Sequence, residues 1–187
     1  MTQIIVIFEL DHQAIMIRTQ RLILHPATVS LLTAALANPQ ALAEALSCSI
    51  IAPLSEFGRA PFEYALNKLR FDASEQQWWG YFPVEISANV LIGTCGYKGQ
   101  PDEEGVVEIG YEVISDKRKQ GFGREIAAGL IQHAWSDPRV TRVIAHTLTG
   151  SNPSSRILQS CGMQFVRELI DTEDGPICQW AMDRPVS

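Results

Sequence analysis

No apolar run in the 187-residue chain approaches the roughly 20 residues that a bilayer-spanning helix needs. The apolar stretch 4–10 lacks a basic leader and a small-residue cleavage site, and acidic residues Glu9 and Asp11 interrupt it, so it does not read as a signal peptide. The expectation is a cytoplasmic protein. Cysteine is scarce, at positions 48, 95, 161 and 178, with no CxxC or other metal-binding spacing, which argues for reduced, mostly buried thiols and no metal site. Basic residues are in the minority. Fifteen Lys plus Arg against 21 Asp plus Glu leave a net charge of −6, which argues against nonspecific binding to nucleic acid or acidic membranes as the main activity. An anionic ligand is not excluded, because binding depends on local charge. The chain also lacks internal repeats, low-complexity tracts and linkers. What is present is 46% hydrophobic and 19% charged residues, enough apolar material for the core of one ordinary domain.

Hydrophobic periodicity predicts a strand over 15–24 that His25-Pro26 ends, then a helix carrying Val29, Leu32 and Leu36. Asn38-Pro39 restarts a helix as cap and first-turn proline, and Pro61 opens another after an aperiodic loop over 47–59. Three antiparallel strands are expected over 78–84, 90–98 and 106–114, where β-branched and aromatic residues alternate with turn-forming stretches. A helix over 122–135 has Phe122, Ile126, Leu130 and Ala134 on one stripe, and Asp137-Pro138 stops it. A strand over 140–147 precedes a helix that Asn152-Pro153 caps and Gly162 ends; strands over 163–170 and 177–183 close the chain. This order predicts an α+β domain with a mixed sheet.

The segment Lys117-Arg118-Lys119-Gln120-Gly121-Phe122-Gly123-Arg124 carries the most chemistry. An acidic protein here concentrates positive charge at one helix start. Glycines let backbone approach a ligand closely, and free N–H groups with the helix dipole favour an anion. Ile126 stands where a dinucleotide-binding GxGxxG needs its last glycine, and no Gly-Lys-Ser/Thr ends the loop, so neither of those two phosphate cradles is present. A solvated basic turn is the alternative account of the same residues.

The loop resembles the Gln/Arg-x-x-Gly-x-Gly/Ala pyrophosphate loop of the GCN5-related N-acetyltransferases (GNAT), here Arg118-Lys119-Gln120-Gly121-Phe122-Gly123. The resemblance extends to the branch that acetylates ribosomal-protein N-termini, through Thr19-Gln20-Arg21-Leu22-Ile23-Leu24, Glu108-Ile109-Gly110-Tyr111 and Asn152-Pro153-Ser154-Ser155 followed by Gly162-Met163. Four phrases in order cover nearly the whole chain. Met163 departs from the usual aromatic, and residues 1–16 lie outside the pattern, as an extra edge strand, a dimer element or a product of an upstream start codon. The expected organisation is an extension, 1–16, and a single domain, 17–187.

The resemblance implies a mostly antiparallel seven-stranded sheet flanked by helices and splayed between its fourth and fifth strands, with acetyl-CoA in the gap as acetyl donor. It implies direct transfer to an amine, either a protein N-terminus or a small molecule, by a monomer or homodimer without nucleic acid or membrane. Arg118, Lys119, Gln120, Gly121, Phe122, Gly123 and Arg124 would receive the pyrophosphate, and Tyr111, Glu112, Val113 and Asn152 the pantetheine arm. Glu108 is the first candidate for the base that frees the amine, because a carboxylate on the splayed strand can face the acceptor side. Glu108, Gly110 and Glu112 share one face of a regular strand; a bulge would break that parity and make Glu112 the candidate, and a purely structural carboxylate is the alternative account of Glu108. The expected helix after the fifth strand lacks the tyrosine that many members use to protonate the leaving thiolate, which points to Ser155. Ser155 also fits as a first-turn capping residue, and Arg156 as either a phosphate contact or helix surface. His133 and His146 have no partner spacing and are given no role. Trp78, Trp79, Tyr81 and Phe82 are expected on one strand, mainly as core. Asp171, Glu173, Asp174 and Glu56 are acidic residues on loops expected near the acceptor. The alternative function is a non-catalytic acyl-CoA-binding module.

Overall fold

The computed structural model describes residues 5–8, 15–51, 53–55, 58–150 and 152–185; Glu56, suggested above for the acceptor side, lies outside them. The strands are β1 (Ile5–Phe8), β2 (Ile15–Arg18), β3 (Leu22–Pro26), β4 (Ser49–Ile50), β5 (Gly80–Glu85), β6 (Val90–Leu91), β7 (Gly93–Tyr97), β8 (Val106–Val113), β9 (Arg142–Leu148), β10 (Gln164–Asp171) and β11 (Gly175–Asp183). The helices are α1 (Val29–Ala37), α2 (Pro39–Leu46), α3 (Ala60–Phe71), α4 (Phe122–Ser136) and α5 (Pro153–Ser160). The strands form one open sheet in the order β1-β2-β3-β5-β7-β8-β9-β11-β10, with β4 and β6 beside β5. Along that path only β8 and β9 run parallel.

The seven expected strands are present, and three local events divide the sheet more finely. The apolar run 15–24 is a hairpin rather than one strand: Thr19 N–H donates to Leu22 O, and Thr19 Oγ1 accepts from Leu22 N at 3.1 Å, which turns the chain back on itself. Trp78 ends a 3₁₀ turn that Asp72 caps, so the strand expected at 78 starts at Gly80. The run 90–98 divides between β6 and β7 at Ile92. At Gly93 a Cβ would sit 1.9 Å from Glu112 O, a close approach that only glycine allows. β1 forms the outer edge against β2, and β4 is a short addition paired with β6.

Both faces of the sheet are covered. Tyr81 packs toward α4 and α5 with Ile109, Phe122, Ile126 and Leu130, whereas Phe82, one residue on, packs toward α1 to α3 with Leu32, Leu42, Leu66 and Leu69. Of the four aromatics expected on one strand, only Tyr81 and Phe82 lie on β5, where alternation sends them to opposite faces; Trp78 and Trp79 precede it at the end of the 3₁₀ turn, and all four are buried, two on each side. Helix starts follow local chemistry: Asn38 Oδ1 accepts from Ala41 N and Asn152 Oδ1 from Ser154 N, each followed by proline at the first helical position.

β8 and β9 pair only from Val106 to Glu108, opposite Arg142 to Ile144. Past Glu108 the two strands separate, and the opening between them lies beside the start of α4 and α5.

Candidate active site

The loop before α4 is built by the hairpin it lies on. Arg21 Nη1 donates to Gln120 O at 3.0 Å, and its guanidinium stacks 4.3 Å from the centre of the buried Phe122 ring. Its Nε donates to Glu125 Oε2 at 2.7 Å while Thr19 Oγ1 donates to Glu125 Oε1 at 2.6 Å. Gly121 adopts φ +85°, the left-handed geometry expected where backbone must present its amides, and no side chain caps the helix. Gly123 lies under Ile157 and Tyr111, where a Cβ would come within 3.0 Å of Ile157 Cδ1.

The positive charge is partly committed. Lys117 pairs with Glu85 at 2.5 Å, holding that carboxyl below its ordinary value, and Arg118 Nε donates to Val113 O at 2.8 Å. Lys119 and Arg124 stand exposed beside the loop, so its local field is weaker than four uncommitted cations at one helix start imply.

Register decides which backbone groups face the opening. Lys98 N donates to Glu108 O and Ile114 N to Ile92 O, and the β7–β8 pairing runs unbroken between them. Alternation turns the backbone of Gly110 and Glu112 toward β7 and that of Tyr111 and Val113 toward the gap. Of the three residues expected along the pantetheine arm, Glu112 thus presents its side chain rather than its backbone. The Tyr111 hydroxyl donates to Ser154 O at 3.5 Å across the base of the gap, and burial pushes its pKa well above the ordinary phenol value.

No bulge interrupts β8, so Glu108, Gly110 and Glu112 do share a face. Glu112 lines a cavity of about 790 Å³ with Gly110, walled by α3, β5, β7 and the β10–β11 turn. Glu108 does not line it. Its Oε1 lies 2.6 Å from Lys98 Nζ and 3.0 Å from His146 Nδ1. The turn's Glu173 and Asp174 line the cavity, whereas Asp171 holds the turn, its Oδ1 accepting from both of their amides. Cys95 is buried under the cavity, and desolvation pushes its thiol pKa far up, which makes it an inert core residue.

Ser155 Oγ lies 3.1 Å from Thr147 Oγ1, which accepts from the buried Trp180 indole at 3.1 Å. Asn152 caps α5. In the sequence Arg21 stood out only as part of a phrase, His146 was given no role although its Nδ1 lies against Glu108, and Lys98, Thr147 and Trp180 were not singled out. For Arg21 the Thr-x-Arg-Leu phrase was a usable signal; the others sit beside the site through strand register alone.

A basic glycine loop at a helix start thus lies beside two parallel strands that part. The chain belongs to the acetyltransferase (GNAT) domain family, whose model matches residues 21–164. It is similar to an uncharacterized N-acetyltransferase, YoaA, of Bacillus subtilis (strain 168), 31% identical over 74 residues that make up 40% of this chain and 42% of that one. The stretch thus spans less than half the length of that relative. Among solved structures it resembles RimL, a ribosomal L7/L12 alpha-N-protein acetyltransferase in complex with coenzyme A, with 14% identity, TM-score 0.65, and coverage of 88% of this chain and 94% of that one. The ribosomal-protein-S5-alanine acetyltransferase of Vibrio fischeri has 13% identity and TM-score 0.65 over 90% of this chain and 96% of that one. At these identities the structures show the shared fold.

Proposed function

We propose that this protein is an acetyl-CoA-dependent N-acetyltransferase that moves the acetyl group directly to a primary amine. The observation that carries the reading is that Tyr111 and Val113 turn their backbone to the gap while Glu112, between them, turns its side chain into the cavity. One strand thereby addresses a donor on one side and an acceptor on the other. The loop from Gln120 to Arg124 fits a pyrophosphate: its helix end is uncapped, Gly121 is left-handed and Gly123 is bare where Tyr111 and Ile157 crowd it.

The thioester of acetyl-CoA supplies an acyl carbon and a thiolate leaving group. An alkyl ammonium must lose a proton to attack that carbon. Glu112, on the cavity wall, takes this proton directly or through a water. Glu108, already bridged to Lys98 and His146, is the second candidate, and its ion pair favours a role in holding β7, β8 and β9 together. Backbone N–H groups of Tyr111 and Val113 face the gap, where preorganised donors stabilise a developing oxyanion by roughly 3 kcal/mol each. Ser155 donates a hydrogen bond to the departing sulfur as the C–S bond breaks, and the thiolate takes up a proton that the attacking nitrogen releases.

The test is acetyl-CoA consumption across a panel of amines and N-terminal peptides, alongside calorimetric binding of CoA. Turnover that Glu112→Gln abolishes supports the enzyme; tight CoA binding with no turnover on any amine supports the non-catalytic acyl-CoA-binding module instead.

A further inference from the structure

Three glycines lie side by side across the cavity floor. Gly80 of β5 pairs with Gly96 of β7, and Gly96 pairs with Gly110 of β8. Two of them have reasons internal to the protein. At Gly96, with φ +148°, a Cβ would fall 2.0 Å from Trp79 O, and at Gly80 it would meet Ala27 Cβ at 3.3 Å. Gly110 has none: nothing lies within 4 Å of the Cβ it lacks, and that space opens into the cavity. A glycine inside a strand weakens it, and one without a packing reason marks a place where a ligand approaches the backbone.

The walls over this bare floor are aromatic. Tyr64 stands 57% exposed with its ring edge-on to Trp79, centroids 5.6 Å apart at 71°, and Phe62 packs on Phe82 at 6.0 Å. The charged groups at the cavity are Glu112, Glu173, Asp174 and Lys98, and Lys98 is already paired with Glu108. The balance favours a cation. A flat floor, ring walls and a volume of about 790 Å³ suit an organic body much larger than a methyl or hydroxymethyl group.

We infer that the acceptor is a primary amine borne on a large, ring-bearing apolar group, which lies over the Gly80–Gly96–Gly110 row against Tyr64 and Trp79 and directs its ammonium to Glu112. The inference rests on the acetyltransferase reading and adds the substrate class. The same chemistry occurs in free arylalkylamines and in peptides that begin with an aromatic residue.

The experiment measures kcat/KM with acetyl-CoA for ethylamine, phenethylamine and tryptamine, and for peptides beginning with Ser, Ala, Phe or Trp. Calorimetric titration of the same acceptors in the presence of CoA gives binding independently of turnover. Ring-bearing acceptors are expected to exceed ring-free ones by at least about tenfold in the arm that matches the source, free amine or peptide. Tyr64→Ala, at an exposed position that the fold tolerates, should erase most of that advantage. Gly110→Val should weaken ring-bearing acceptors at least tenfold while CoA affinity stays within about twofold. Ring-selective binding without turnover keeps the cavity assignment and removes the transferase reading. Turnover without ring preference, or an equal effect of Tyr64→Ala on every acceptor, overturns the cavity assignment alone. Absence of both binding and turnover overturns both.

Discussion

Arg21 holds both carboxylate oxygens of Glu125: its backbone N–H donates to Oε1 and its Nε to Oε2, each at 2.7 Å, although 104 residues separate them. With the further bond to Gln120 O, the hairpin between β2 and β3 fixes the first turn of α4. Arg21→Ala should therefore weaken CoA binding about tenfold, or 1.4 kcal/mol, with a loss of fold stability near 1 kcal/mol for a half-exposed pair. Calorimetric titration and thermal melting check the two numbers separately. Unchanged CoA affinity would show that the loop keeps its shape without this clamp.

Gly121→Asp introduces a side chain at φ +85° and a negative charge where a phosphate is expected. CoA affinity should fall at least a hundredfold, and the strained backbone should cost about 1 kcal/mol, leaving the chain folded. Far-UV circular dichroism confirms the fold and titration reads the affinity.

Glu112→Gln should lower kcat about a hundredfold, with KM for acetyl-CoA nearly constant. Glu108→Gln should chiefly lower the melting temperature, since it removes the contact that Lys98 and His146 share. The reverse pattern would move the base to Glu108.

Trp180 donates to Thr147, and that bond leaves the Thr147 hydroxyl proton available to Ser155. Ser155→Ala should reduce kcat about tenfold or more. Thr147→Val should reduce it several-fold with little change in KM, because Ser155 keeps its hydroxyl and loses its orientation. Full activity in both variants would make Ser155 a helix residue only.

His133 is buried among Trp78, Tyr81 and Tyr97, and desolvation lowers its pKa from 6.5 to about 4. Tyr97 donates to Leu130 O and stands 2.8 Å from His133 Nδ1, which fits a neutral ring donating to the phenol oxygen. Since the folded value lies below the unfolded one, this contribution is complete above about pH 6.5 and is lost as pH falls toward 4. Its full size is about 3 kcal/mol. Denaturant unfolding across that window should show the decline, and His133→Gln should flatten it.

Helix starts at Asn38-Pro39 and Asn152-Pro153, the stripe of α4 and the glycine loop were legible from residue order, because capping, periodicity and left-handed turns depend on neighbours a few positions apart. The split of 15–24 into a hairpin was not, since a uniformly apolar run has no period to mark its turn, and the Thr19–Leu22 bonds that make it exist only once folded. Shared parity of Glu108, Gly110 and Glu112 was also readable from alternation. Which carboxylate reaches the cavity was not.

By itself the sequence pointed to the family, most of the order of elements, the glycine loop before α4 and a short set of carboxylates and hydroxyls. Tertiary structure decided the rest: Lys117 is committed to Glu85, Glu108 to Lys98 and His146, and three distant glycines align as a floor. The reason is physical. Local preferences act through bonds within a few residues, whereas ion pairs and cavities arise where strand register brings together groups tens of residues apart, and register is set by burial of the whole sheet.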